Sequence, residues 1–168
     1  MYKRLINDYN KHIAYGDKRL MNTITINEAL SLLQNSKPQP FLNFDAITEM
    51  KGDDHFGVCL NGALAVKHAN GGQIESTFYV DLALIKDQWE VIVSDVFNID
   101  VKGLTILDSH GATSSIHDHD EFGEKLSPVL NRTKQEVRDL EREFLSEIQN
   151  HFNGKLTVDA IKGHPNYQ

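Results

Sequence analysis

Between Leu104 and Glu124 the chain reads LTILDSHGATSSIHDHDEFGE. An apolar run with strand character, Leu104, Ile106 and Leu107, leads into Asp108, His110, His117, Asp118, His119, Asp120, Glu121 and Glu124. No other stretch gathers as many groups able to move protons or ligate metals. Two chemistries fit it. Alternation along a strand puts Asp108 and His110 on one side, where the carboxylate would orient the imidazole as a general base. The nucleophile for such a base is Cys59, the single cysteine of the chain. A thiol gains reactivity at a helix N-terminus beside an imidazole, because both favour the thiolate. Cys59, His110 and Asp108 would then form a hydrolytic or acyl-transfer site for peptide or glutamine amide bonds, with no cofactor. In the second chemistry His117 and His119, two apart on an extended segment, project both imidazoles to one side, as two ligands of an iron or zinc site do.

Each chemistry carries a resemblance. The run LTILDSHG, after a Val/Ile-rich strand pair and before EKLSPVL, resembles papain-like cysteine peptidases of the herpesvirus tegument deubiquitinase type. There an Asp-x-His on one strand works with an upstream cysteine on a helix. The resemblance implies Cys59 as nucleophile, His110 as general base and Asp108 as orienting acid. The chain departs from that pattern in its short Cys–His separation and in having no glutamine just upstream of Cys59. Gly111, five residues, His117-x-His119, four residues and Glu124 resemble the first cupin motif, and SSIHDH is similar to the corresponding run in thiol dioxygenases of the cysteine dioxygenase type. That resemblance implies His117 and His119 as iron ligands, with Glu124 completing the motif. A cupin needs a further histidine, and only His164 follows the long helix described below. His12, His55, His68 and His151 stand alone. The chain has no glycine-rich phosphate loop, G-x-S-x-G, HExxH, CxxC or dinucleotide fingerprint.

The net charge is −7 and unevenly placed. Residues 1–22 are basic, with five cations against two anions, whereas residues 23–131 carry six against sixteen. An acidic middle repels phosphates, so nucleic acid is not an expected partner. There is no apolar window long enough to span a membrane and no signal-peptide pattern. A cytoplasmic location is the expectation, and one cysteine suits a reducing compartment. Oligomeric state is not legible.

The elements that must position these groups follow from periodicity. The length suits one α+β domain over residues 1–168, with 1–22 as an appended helix whose apolar face carries Leu5, Ile6, Tyr9 and Ile13. Thr25 and Glu28 form a capping box for a helix bearing Ile26, Ala29, Leu30 and Leu33, ended by Pro38 and Pro40. Residues 41–108 read as an antiparallel β-meander: strands near 41–50, 74–85, 89–98 and 104–107, with turns at Asp87-Gln88 and Lys102-Gly103. Residues 55–69 stay open between two readings. Asn61-Gly62 is a two-residue hairpin signal, and Leu60, Ala63, Leu64 and Ala65 would suit a buried helix with Cys59 in its first turn. Phe122 to Leu130 reads as a short helix. A second capping box, Thr133 and Glu136, opens a long helix over 133–152 with Val137, Leu140, Phe144, Ile148 and Phe152 on one face. Lys134, Arg138 and Arg142 line one flank of it; Glu136, Asp139, Glu143 and Glu147 line the other. Leu156 to Ile161 reads as an edge strand. That charge-striped helix and the acidic middle supply a third reading: a non-enzymatic module that binds a protein partner.

Overall fold

The computed structural model describes residues 22–107, 113–114, 128–129 and 132–168. The expected helix near residues 2–15 and the short helix over 122–130 lie wholly or almost wholly outside them. The fold is α+β. Its elements in chain order are β1 (Thr23–Thr25), α1 (Ile26–Asn35), β2 (Gln39–Glu49), β3 (Gly57–Lys67), β4 (Gln73–Ile85), β5 (Gln88–Lys102), β6 (Thr105–Leu107), β7 (Thr113–Ser114), α2 (Lys134–His151) and α3 (Val158–Lys162). No described helix is long and apolar enough to cross a membrane.

The chain gathers into two compact units, each drawn from separated segments. The described part of the first comprises residues 22–37, 66–75, 99–107, 113–114 and 128–129. Here β1 pairs in parallel with β6, Ile24 opposite Ile106, and β6 pairs antiparallel with β7. Leu104 to Leu107 was expected as the last strand of the meander; it belongs instead to this three-stranded sheet. The Thr25 hydroxyl accepts from the Glu28 amide and the Glu28 carboxylate accepts from the Thr25 amide, so the first capping box starts α1 as expected. Ala29 and Leu33 on α1 pack with Ile24, Val66, Ile74, Leu104 and Ile106. The buried Glu75 carboxylate receives both Lys102 Nζ, at 3.0 and 3.1 Å, and Gln73 Nε2 at 3.0 Å.

The second unit comprises residues 38–65, 76–98 and, of its last segment, 132–168. The order β2-β3-β4-β5 makes a four-stranded meander. Between β4 and β5 the turn is Lys86-Asp87, one residue earlier than expected; both have positive φ, 50° and 64°, the conformation that a two-residue hairpin requires. Residues 57–67 are neither hairpin nor helix. They form one unbroken strand, and Asn61-Gly62 sits at its centre. The turn signal loses because Gly62 serves a packing need: a Cβ there would lie 2.5 Å from Val80 Cγ2 and 3.1 Å from Phe144 Cζ. Only glycine lets α2 sit this close to the strand.

The second capping box opens α2 as expected. Leu140, Phe144 and Ile148 bury against Leu42, Leu60, Leu64, Phe78, Val80, Leu82 and Val91. The helix spans the sheet from edge to edge. Glu141 Oε1 accepts from the Val93 amide on β5 at 3.4 Å, and Glu147 Oε1 accepts from the Leu42 amide on β2 at 3.2 Å. Each carboxylate occupies an amide on an edge strand that no neighbouring strand can reach, and so blunts that edge. Burial pushes the Glu147 carboxyl up, and the Leu42 amide opposes the shift. Glu147→Ala is expected to cost about 1–2 kcal/mol in urea unfolding, and Glu147→Gln less, since its carbonyl can still accept.

The expected edge strand over 156–161 is also corrected. Thr157 accepts from the Ala160 amide and starts the short helix α3. Beyond it the tail turns back on β2: Ile47 bridges Tyr167 in parallel, and the Ile47, Gln168 and Glu49 amides donate in turn to Asn166, Ile47 and Gln168 carbonyls.

Candidate functional site

Of the residues nominated by sequence, Asp108, His110, His117, His119 and Glu124 lie outside the described residues. Cys59 lies within them, and its surroundings oppose a nucleophilic role. It sits in mid-strand on β3, with no helix N-terminus behind it. Its Sγ faces the Leu60 carbonyl at 3.9 Å, and the Asp81 carboxylate of β4 is its acidic neighbour. Burial first, then the Asp81 carboxylate, pushes the thiol up to about 11. A nucleophilic cysteine needs the reverse, a positive neighbour that favours the thiolate.

Cys59 does mark a surface. Leu60, Gly62 and Leu64 face α2, so alternation sends Cys59, Asn61 and Ala63 to the other side of the sheet. Register then builds that face row by row. Thr48 stands opposite Cys59 and Asn43 opposite Asn61. Across the next turn the His68 amide donates to the Gly72 carbonyl at 2.6 Å, and the ladder continued from that pair places Cys59 opposite Asp81 and Asn61 opposite Tyr79. The two-residue turn at Lys86-Asp87 places Asp81 opposite Ile92 and Tyr79 opposite Ser94, whose hydroxyl donates to the Tyr79 carbonyl at 3.5 Å. One row across the four strands is therefore Asn43, Asn61, Tyr79 and Ser94; the next is Thr48, Cys59, Asp81 and Ile92. Tyr79 and Ile92 are 50% and 48% exposed, the large apolar side chains that stand out most among the described residues.

A second cluster joins the end of α2 to the tail. His151 Nε2 and His164 Nε2 are 2.9 Å apart. The His151 ring stacks on Phe44 at 3.7 Å between centroids, with planes 2° apart, and Phe152 meets both imidazoles edge-on. His151 had been read as standing alone. Nothing local in the sequence announces the pair, because its members come from the end of a helix and from a returning tail. Burial and the neighbouring His164 push His151 below the ordinary histidine range. No group of three or more His, Cys, Asp or Glu side chains placed to hold a metal occurs among the described residues.

No protein-family model, curated protein sequence or solved structure matches the chain.

Proposed function

We propose that the chain is a non-enzymatic module that binds a polypeptide around Tyr79 and Ile92, on the face of its four-stranded sheet opposite α2. The observation that carries this reading is the half-exposure of Tyr79 and Ile92 on the face opposite α2. Two large apolar side chains on neighbouring strands, set among Asn43, Asn61, Thr48 and Ser94, combine rigid contact area with adaptable hydrogen bonding, the composition of recognition surfaces. Asp81 is the charge of these two rows, with Glu90 beside Ile92 on the same side of β5, and no Lys or Arg stands in the two rows. The ligand this favours is an extended segment with apolar side chains and a cation. The apolar stripe of α2 is already spent on the core, which leaves that helix only its charged flanks for a partner. The raised pKa of Cys59 weighs against the hydrolase reading, whose other residues, like those of the iron or zinc reading, lie outside the described set.

The test is selection of peptides from a random library on the immobilised full chain. Selected peptides should carry Lys or Arg beside apolar residues, and should lose at least about tenfold in affinity for Tyr79→Ala or Ile92→Ser, the scale of a modest hot spot. Both positions are half-exposed, so the fold should change by only about 0.5 kcal/mol. Failure to select any peptide, or peptides indifferent to both variants, would overturn the proposal.

A further inference from the structure

We propose that the His151–His164 pair is an acid-operated latch that holds the C-terminal tail against β2. The argument starts from proton positions. The Asn166 amide donates to His164 Nδ1 at 3.1 Å, so that nitrogen carries no proton. In neutral His164 the proton is then on Nε2, which donates across the 2.9 Å gap to His151 Nε2. His151 in turn holds its proton on Nδ1. The neutral pair is fully matched, one donor to each acceptor.

An added proton has no vacant place. On His151 Nε2 it would set two N–H groups head to head. On His164 Nδ1 it would face the Asn166 amide. Shuttling the proton along the pair ends at the same two positions. Each outcome breaks a hydrogen bond and replaces it with repulsion, so protonation and the closed tail exclude one another. The same lock on Nδ1 argues against a metal between the rings, since a metal at His164 Nε2 would require Nδ1 to carry the proton.

The charged and titratable surroundings do not rescue the cation. From β2 the pair meets the uncharged Phe44 ring. On α2, Glu147 lies one turn before His151 and is engaged on the Leu42 amide. In the tail, Tyr167 donates to Glu49 Oε2 at 2.7 Å. Lys162 of α3 lies over the Phe56 ring at 5.5 Å. Among the described residues no carboxylate forms an ion pair with either imidazole. The lowered affinity of His151 for a proton agrees in sign: the folded state loses stability as pH falls from the unfolded histidine value near 6.5.

What the latch holds is specific. Asn166 Nδ2 donates to the Phe44 carbonyl at 3.2 Å, and the tail pairs with Ile47 and Glu49, beside the register shift between Asn43 and Thr48. Opening therefore bares a short stretch of sheet edge that is otherwise covered.

Amide hydrogen exchange on the full chain tests this. Protection factors of Ile47, Glu49 and Gln168 should fall at least about tenfold between pH 7.5 and 5.5, one unit of proton-linked free energy, while those of Phe144 and Val80 hold. The His151→Gln/His164→Gln variant should lose this pH dependence, and Glu49→Gln should keep it. Flat protection in the wild type would overturn the latch. An undiminished fall in the double histidine variant would do the same.

Discussion

Phe144→Ala is expected to lower the unfolding free energy by about 3–5 kcal/mol, the range for removing a fully buried aromatic ring. Phe144 is 0% exposed and fills the depression left by the missing side chain of Gly62. A domain of ordinary stability has about 5–15 kcal/mol in hand, so the variant should be partly unfolded at modest urea. Trp89 is a convenient reporter: it packs against the same core, and its indole N–H donates to the Leu156 carbonyl at 3.1 Å. The urea midpoint should drop while the slope holds. A loss under about 1 kcal/mol would mean that the ring is not the keystone between helix and sheet. Gly62→Ala should be destabilising for the complementary reason, since its methyl would run into Val80.

The second large effect concerns the thiol. Cys59 is expected to react with an alkylating reagent at pH 7.5 on the order of a hundredfold more slowly than an ordinary free cysteine, because a rise to about 11 leaves that much less thiolate. Asp81→Asn should recover part of the rate, since that carboxylate contributes to the rise; burial, the larger cause, would remain. Mass spectrometry of the intact chain against time gives both rates. Labelling faster than the free thiol would restore Cys59 as a nucleophile and sink the assignment of the sheet face as the working surface.

What could be read in the sequence was what neighbours in sequence decide. Both capping boxes rest on contacts three residues apart, and both form. Leu140, Phe144 and Ile148 recur at helical spacing, and all three are buried. The misreadings have distant causes. Asn61-Gly62 carries a strong local turn preference, overruled by Phe144 from the far end of the chain. Leu104 to Leu107 pairs with β1 rather than with the strand just before it, which no alternation pattern encodes. Leu156 to Ile161 is strand-like by composition, and the Thr157 cap, which accepts from the Ala160 amide, makes Val158–Lys162 helical instead. For the candidate sites, the conspicuous clusters of Asp108 to Glu124 drew attention by composition alone. The face around Tyr79 needed registers across four strands, and the histidine pair needed a tail folded back on β2.

That each unit is drawn from separated segments has a consequence for dissection of the protein. The chain enters and leaves each of them repeatedly, at 37–38, 65–66, 75–76, 98–99 and 130–131. No single continuous stretch of the chain therefore contains one unit whole without part of the other, so a cut at any one of these points divides at least one of them.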